Sequence, residues 1–269
     1  MYILLALCAI AFHIIFFWKW KKNTQNFYLE SRPIIFGHRG SPTYITENTA
    51  PSFKKALNQG AEGFEFDIRL TKDKKIIIFH DSNLLRMSGI SIKIKETNHE
   101  TLKAHNLKKE TNQEESVKIP LLEDILETID QAQAINIEIK SDALFEGQET
   151  LLPLIEFLNK HQIDHKCIVS SFNPLILWRL KRKRPQTTTG LLYASRYYLH
   201  SIYNMILILI CRPENLHIHH DFLDSWIVKW ARFKGMRVNG YTINNKAAHE
   251  RAKKLKIDGI FTDNIEYLK

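Results

Sequence analysis

The sequence predicts an α/β protein: a closed eight-stranded barrel of alternating strands and helices that follows an apolar amino-terminal helix. Short apolar runs recur from Ile34 to the end of the chain, and stretches with helical periodicity separate most of them. Alternation of this kind is typical of a parallel sheet covered by helices. No low-complexity segment or change of composition divides residues 34–269, and roughly 236 residues is the usual size of one β/α barrel.

The composition is that of a globular protein with a surplus of positive charge. Of 269 residues, 44% are hydrophobic and 25% are charged, which argues against a disordered, collagen-like or coiled-coil chain. The net charge of +9 favours an anionic partner: a phosphate-bearing substrate, a membrane surface or nucleic acid. We expect no nucleic-acid partner, because no stacking-aromatic or recognition-helix motif supports one. Three scattered cysteines are too few for a disulfide framework or a cysteine-based zinc site.

The amino terminus carries an uncharged apolar run from Tyr2 to Trp18, and lysines follow it within residues 19–22. Such a run spans roughly 25 Å, the short end of what crosses a bilayer core. Because the positive charge comes after the run, we predict a single-pass transmembrane anchor over residues 1–22 with the rest of the chain on the cytoplasmic side. A cleaved signal peptide and a soluble amphipathic or core helix are the alternatives. Residues 23–33 are predicted to be a linker, and residues 34–269 the barrel domain.

Nine apolar runs are strand candidates, one more than an eight-stranded barrel holds, so at least one should lie outside the barrel. They are Ile34–Gly37, Gly63–Leu70, Ile76–His80, Ile135–Ile139, Cys167–Ser171, Gly190–Tyr193, Leu216–His219, Arg237–Ile243 and Gly259–Thr262. Helices are predicted over Ala50–Gln59, Leu121–Ala132, Thr150–His161, Pro174–Lys183, Phe222–Lys234 and Lys246–Leu255. Two regions do not fit the pattern: Ser91–Lys118 is predicted to be a loop or small insertion, and Tyr197–Cys211 a buried or membrane-touching helix.

Charged or titratable residues lie at or near the ends of several strand candidates. In a β/α barrel the carboxyl ends of the strands converge on one site. The motifs are Gly37-His38-Arg39-Gly40, Glu65-Phe66-Asp67, His80-Asp81 and Glu138-Ile139-Lys140.

Glu65, Asp67 and Glu138 are the predicted ligands of a divalent cation. Glu65 and Asp67 are two residues apart on one strand, so both side chains project to the same face. Oxygen ligands without cysteine favour Mg²⁺ or Ca²⁺ over zinc. The alternative is that these carboxylates pair with Arg39 and Lys140 and hold no metal.

The second and third strand candidates should form a hairpin, since the link between them is too short for a crossover helix. A two-residue loop at Asp73-Lys74 would place His80 directly opposite Asp67. A shift of one residue would turn His80 to the other face. With His38, His80 would make an acid–base pair beside a metal-bound phosphate.

Arg39 and Lys140 would then neutralise the non-bridging phosphoryl oxygens. Three other features each allow two interpretations. Glu47 and Asn48 are expected to cap the following helix or to support the site. The run Lys181–Arg184 is expected to be the solvated last turn of a helix or a contact for lipid headgroups. The histidines of His217-x-His219-His220 are spaced like metal ligands, but we expect surface histidines at a strand end.

The ordered set of motifs resembles the glycerophosphodiester phosphodiesterase family, relatives of the phosphatidylinositol-specific phospholipases C. The resemblance extends from Ile34 to about Thr262. It implies a distorted β/α barrel, a divalent cation, and hydrolysis of a glycerophosphodiester to glycerol 3-phosphate and an alcohol. The matching segments are His38-Arg39-Gly40, Glu47-Asn48-Thr49, Gly60-Ala61-Glu62, Glu65-Phe66-Asp67, Thr71-Lys72-Asp73, His80-Asp81, Pro120-Leu121-Leu122-Glu123, Asn136-Ile137-Glu138-Ile139-Lys140, Ser170-Ser171-Phe172 and Gly259-Ile260-Phe261-Thr262-Asp263.

Carried over by matching position, the resemblance implies the same roles that were inferred above from the charged motifs on the strand candidates. The metal ligands are Glu65, Asp67 and Glu138, the acid–base pair is His38 and His80, and the phosphate contacts are Arg39 and Lys140. Three positions depart from the family pattern: Tyr241, Lys74 and Ile265, the last of which replaces a usual proline and is expected to have little consequence.

Tyr241 stands where a tryptophan is common, and we expect it to line the substrate pocket near the glycerol end. Lys74 stands where the family often has glycine in the hairpin turn, which weakens the predicted register.

Two alternative functions remain: a lysophospholipase D that acts at the membrane, and a non-catalytic, membrane-tethered module for phosphorylated ligands. The sequence does not determine the leaving alcohol, the choice of Mg²⁺ or Ca²⁺, or the oligomeric state. It also leaves open whether water attacks first or the substrate's own glycerol hydroxyl does so through a cyclic phosphate.

Overall fold

The computed structural model describes residues 2–16, 26–107, 117–143, 145–194 and 208–268. Within these residues nine strands form one sheet: β1 Ile34–Gly37, β2 Gly63–Leu70, β3 Ile76–Ile78, β4 Ala134–Ile139, β5 Cys167–Ser171, β6 Thr188–Tyr193, β7 Asn215–His219, β8 Arg237–Tyr241 and β9 Gly259–Thr262. Eight of them are parallel and close into a barrel in the order β1-β2-β4-β5-β6-β7-β8-β9, with β9 pairing back to β1. The remaining strand, β3, is antiparallel to β2 and lies outside the barrel. This confirms the predicted eight-stranded barrel with one extra strand.

Helices follow most of the strands and cover the barrel. Local signals fix their ends: Thr49 accepts a hydrogen bond from the Ser52 amide, and Asp224 accepts from the amides that open its helix. The predicted helix over residues 121–132 is a 3₁₀ turn, Leu122–Ile125, followed by a short α-helix. The α-helices are Tyr2–Phe16, Ala50–Asn58, Leu85–Ser88, His99–Ala104, Leu126–Gln131, Leu151–His161, Pro174–Lys183, Ser225–Lys234 and Lys246–Lys254.

Successive side chains of a strand point alternately towards the covering helices and into the barrel. On β2, Phe64, Phe66 and Ile68 are fully buried in the apolar layer beneath the helices. Each such side chain stabilises the fold by about 1.5–3 kcal/mol. The intervening residues, Glu65 and Asp67, therefore point into the barrel.

The segment before β1 closes the amino-terminal end of the barrel. Phe27 and Tyr28 are buried, and the Tyr28 hydroxyl donates to Asn215 Oδ1 at 2.6 Å inside the barrel. Burial raises the Tyr28 pKa, so the hydroxyl stays a donor. The expected linker over residues 23–33 thus contains packed residues; positions 23–25 lie outside the described part of the chain.

The amino-terminal helix, Tyr2–Phe16, has 15 residues. Within the described ranges, no helix combines the length and the apolar character needed to cross a bilayer. The predicted transmembrane anchor over residues 1–22 is therefore not supported, and residues 17–22 lie outside the description.

Two regions were predicted to depart from the pattern of alternating strands and helices. Most of the first, residues 91–118, is described, and it holds a short helix that lies beside a small apolar cluster. Of 197–211, only 208–211 is described; it is helical.

The predicted register of the β2–β3 hairpin is wrong by one residue. Ile68 pairs with Ile78, so Asp67 lies opposite Phe79. The cause is the turn: Lys74 has a φ of 61°, the left-handed conformation that lets a turn accommodate an extra residue. His80 nevertheless reaches the barrel interior, because β3 ends at Ile78 and the chain leaves the ladder before His80.

Candidate active site

The three predicted metal ligands meet inside the carboxyl end of the barrel. Glu65 and Asp67 lie on β2, and Glu138 lies on β4 directly opposite Asp67. Their exposed fractions are 3%, 1% and 6%, and each offers a carboxylate oxygen within 4.8 Å of the others. This spacing allows the three carboxylates to share one cation whose oxygen ligands lie about 2.0–2.6 Å away.

Two basic side chains contact the same cluster. Lys140 Nζ lies 2.6 Å from Glu138 Oε1 and 3.4 Å from Asp67 Oδ1, and Arg39 Nε lies 3.3 Å from Asp67 Oδ2. Burial alone would raise the Asp67 pKa, but the charges of Lys140 and Arg39 hold it well below its usual range. The ion pairs that the sequence allowed as an alternative to a metal are therefore present, although they leave one carboxylate incompletely satisfied.

That carboxylate is Glu65. Its Oε2 accepts a hydrogen bond from the Arg39 amide at 2.8 Å, whereas its buried Oε1 has no hydrogen-bond partner among the described residues. Burial, and then the neighbouring charge of Asp67, raises the Glu65 pKa to about 8. An unpartnered buried oxygen between two further carboxylates fits a divalent cation, since the ion would supply the missing contact.

His38 follows β1 and is held by a residue from the other end of the chain. Its Nδ1 lies 2.6 Å from Asp263 Oδ1, just after β9, and its Nε2 lies 4.0 Å from Glu65 Oε2. Burial lowers the His38 pKa, but the hydrogen bond to Asp263 and the charge of Glu65 outweigh it, so the net shift is upward. Sequence analysis placed Asp263 only within a matching motif; its position at a strand end was the available signal.

His80 lies across the site and is oriented in the same way. Its Nδ1 lies 2.7 Å from Asp81 Oδ1. Burial lowers the His80 pKa, and Lys140 and Arg39 lower it further against the opposing effect of Asp67. Both imidazoles thus have one nitrogen engaged by a carboxylate, which leaves Nε2 of each for chemistry in the cavity.

Glu47 and Asn48 support the site rather than capping the helix, a role that Thr49 performs. Asn48 Nδ2 donates to Asp67 Oδ2 at 2.9 Å, and the Asp67 amide donates back to Asn48 Oδ1 at 3.2 Å. Glu47 accepts hydrogen bonds from Arg39 and Arg86. Reciprocal bonding to Asn48 fixes the orientation of the Asp67 carboxylate.

A cavity of about 190 Å³ opens above the cluster and is lined by charged residues on one side and aromatic residues on the other. Tyr241, the predicted substrate contact, forms an edge-to-face pair with Phe172, with ring centroids 6.3 Å apart. The Tyr241 hydroxyl is buried without a hydrogen-bond partner in the described structure, and burial raises its pKa. His217 completes the wall; burial lowers its pKa to about 3, so it is neutral, and its ring fits only because Gly190 has no side chain.

A wider groove of about 570 Å³ adjoins this cavity, and His80, Glu138, Lys140 and Phe172 line both. Apart from Leu85, the other residues that line the groove are polar or charged. Its charged residues are largely paired, as in the two hydrogen bonds of 2.9 Å from Arg69 to Asp142. A diester whose phosphate lies at the carboxylate cluster would place one substituent in the small cavity and the other in the groove.

Comparisons with known proteins agree on one family. The model of the glycerophosphoryl diester phosphodiesterase family matches residues 38–267. A glycerophosphodiester phosphodiesterase from Caldanaerobacter subterraneus subsp. tengcongensis is 30% identical over 242 residues, covering 88% of this chain and 96% of the relative. The structure of an Oleispira antarctica phosphodiesterase in complex with the product sn-glycerol-3-phosphate is 28% identical, with a TM-score of 0.74 over 88% of this chain and 95% of that one. A mouse lysophospholipase D, GDPD1, is 24% identical over 261 residues, covering 84% of this chain and 82% of the relative.

Proposed function

Because the chain belongs to the glycerophosphoryl diester phosphodiesterase family, we propose that it hydrolyses glycerophosphodiesters to glycerol 3-phosphate and an alcohol, using a divalent cation. The observation that carries the proposal is the convergence of three buried carboxylates with two imidazoles, each held by its own aspartate, on one cavity.

Glu65, Asp67 and Glu138 would hold Mg²⁺ or Ca²⁺, which when bound would polarise a phosphoryl oxygen. Arg39 and Lys140 border the same cavity and would offset the charge that develops on the phosphate.

The two histidines would carry the protons. The lowered pKa of His80 favours its neutral form, which can accept a proton from the attacking water. If the substrate's own glycerol hydroxyl attacks first, His80 would accept that proton instead, and water would open the resulting cyclic phosphate in a second step. The raised pKa of His38 favours the protonated form, which can donate to the leaving oxygen. Asp81 and Asp263 would keep each Nε2 directed at the phosphate.

The sizes of the cavity and the groove fit a diester with a small polar substituent on one side of the phosphate. The cavity beside Tyr241 has room for a glycerol moiety, and the open polar groove would take the leaving alcohol. A lysophospholipase D is the second candidate, favoured by the similarity to GDPD1 and by the exposed Phe172 ring at the rim, which could contact an acyl chain.

Choline release by the purified protein distinguishes these functions. We expect faster release from glycerophosphocholine than from lysophosphatidylcholine, loss of activity in EDTA, and recovery with Mg²⁺ or Ca²⁺. The variant His38→Ala should be inactive, and His165→Ala, which changes an exposed histidine outside the site, should match wild type. Full activity in EDTA would contradict the metal-dependent mechanism, and a preference for lysophosphatidylcholine would favour the second candidate.

The cellular location is a separate proposal. We propose that the apolar helix Tyr2–Phe16, whose Tyr2 and Ile3 side chains are about 80% exposed, attaches the protein to a membrane with the barrel on the cytoplasmic side. Cell fractionation of the full chain and of a variant that lacks residues 2–22 tests this. Equal recovery of both in the soluble fraction would contradict it.

A further inference from the structure

Three metal-ligating side chains lie together at the carboxyl end of β7, outside the carboxylate cluster. We propose that His219, His220 and Asp221 form a second metal site, suited to a borderline ion such as Zn²⁺, beside the mouth of the barrel. Each residue offers one ligand atom within 4.8 Å of the others. Two imidazoles and one carboxylate are a common donor set for zinc, whereas the all-carboxylate cluster suits a hard cation.

The distances between these side chains fit a shared ion better than direct hydrogen bonds. His219 Nδ1 lies 3.5 Å from Asp221 Oδ2, and His220 Nε2 lies 3.3 Å from Asp221 Oδ1. Hydrogen bonds between such groups are usually about 2.7–3.0 Å long. Ligands placed tetrahedrally at 2.0–2.1 Å from zinc are separated by roughly 3.4 Å. Both nitrogen–oxygen distances, which run to different oxygens of Asp221, are close to that separation.

The hydrogen bonding of this segment leaves room for an ion. The Asp221 amide donates to His219 Nδ1 at 3.3 Å, a long bond that coordination at this nitrogen would replace. His220 would offer Nε2, the nitrogen that faces Asp221, to the ion; its Nδ1 is buried and has no hydrogen-bond partner within the described ranges.

Packing around the three residues holds them near the geometry that an ion needs. The His219 ring lies between Tyr241, edge-on at 5.5 Å between centroids, and Phe222 at 5.9 Å. Arg251 donates to the main-chain carbonyl of His220 at 2.9 Å, which fixes the 3₁₀ turn that carries it. Little ordering would therefore remain to oppose metal binding.

The proposed zinc site lies beside the substrate cavity and shares His219 with it. His219 lines the same cavity as Glu65 and Glu138, whereas His220 and Asp221 do not line it. A zinc ion held here would lock His219 and Tyr241 at the rim. The ion would thus lie beside the substrate path without replacing the cation of the carboxylate cluster.

Zinc binding to the full-length protein tests the proposal, with Mg²⁺ in large excess to occupy the carboxylate cluster. Titration against a chromogenic zinc chelator should show one site in the wild type. His220→Ala and Asp221→Asn should each weaken that site at least about tenfold. His165→Ala removes an exposed histidine elsewhere and should leave zinc binding unchanged. Without zinc, all three variants should retain wild-type hydrolysis of glycerophosphocholine.

Two results would overturn the proposal. Identical zinc titrations of the wild type and His220→Ala would show that these side chains hold no ion. Loss of the site in Glu65→Gln, but not in His220→Ala, would show that zinc binds the carboxylate cluster. Because the readout is binding, neither result depends on whether the protein hydrolyses glycerophosphodiesters.

Discussion

Binding of a divalent cation should release a proton from Glu65. In the metal-free protein the Glu65 pKa is raised to about 8, by burial first and then by the charge of Asp67. About nine in ten molecules therefore carry this proton at pH 7. A cation binds the deprotonated carboxylate, so the apparent affinity for Mg²⁺ should fall about tenfold for each pH unit below 8 and level off above it.

The same shift makes the stability of the metal-free protein depend on pH. The folded pKa of about 8 lies above the ordinary value of 4.5, so the stabilising contribution of the Glu65 proton is fully present below about pH 4.5 and is lost as the pH rises through about 8. The loss amounts to about 5 kcal/mol, since each pKa unit is worth about 1.4 kcal/mol. Asp67, whose pKa is lowered, acts in a separate window: its contribution is present above its ordinary value of 3.8 and is lost only in stronger acid.

Isothermal titration with Mg²⁺ in buffers of different ionisation enthalpy measures the released protons directly. We expect about one proton per ion at pH 7 in the wild type. Glu65→Gln should release almost none and bind Mg²⁺ more weakly. Glu127→Gln, which changes a carboxylate that is 77% exposed, should behave like the wild type. An affinity for Mg²⁺ that is constant between about pH 6 and pH 8 would refute the reasoning, as would undiminished proton release by Glu65→Gln.

Three further predictions concern the residues around this cluster. Replacement of His80 by alanine should lower kcat for glycerophosphocholine about 100- to 10,000-fold while circular dichroism shows an intact fold, and an unchanged kcat would remove His80 from the mechanism. Asp263→Asn should lower kcat at least about tenfold with little change in KM, because it alters the hydrogen bond that fixes His38 Nδ1; steady-state kinetics and the ¹⁵N shifts of the His38 ring test this, and wild-type values for both would contradict it. Tyr28→Phe should lower the free energy of unfolding by about 1–3 kcal/mol, measured by urea denaturation, because it leaves Asn215 Oδ1 without its 2.6 Å hydrogen bond, whereas a fall in kcat without loss of stability would contradict this role.

The parts of the molecule that the sequence predicted well are those with a local signal. Four strands, among them Gly63–Leu70, have the predicted bounds, because the apolar pattern of a strand is contained in its own residues. The charged motifs on the strand candidates likewise identified Glu65 and Glu138, although Glu65 is the third of the eight residues of β2 and does not lie at its carboxyl end. The hairpin register failed because it depended on the backbone conformation of one residue, Lys74, that the pattern of side chains does not encode.

The residues that sequence analysis missed are those whose contacts are distant or depend on exact geometry. Asp263 lies 225 positions from His38, and nothing in either local sequence predicts their 2.6 Å contact; only the closure of β9 onto β1 brings them together. For Asn48 the sequence left a helix cap and a supporting role in the site open, and the structure favours the second, because a left-handed φ of 58° accompanies the hydrogen bond of its side chain to Asp67. Both residues orient a group that the sequence did identify. Charged residues on the strand candidates therefore predict the reactive side chains. The residues that hold those side chains in position cannot be predicted in the same way, because their contacts depend on barrel closure and on backbone conformations that the local pattern does not determine.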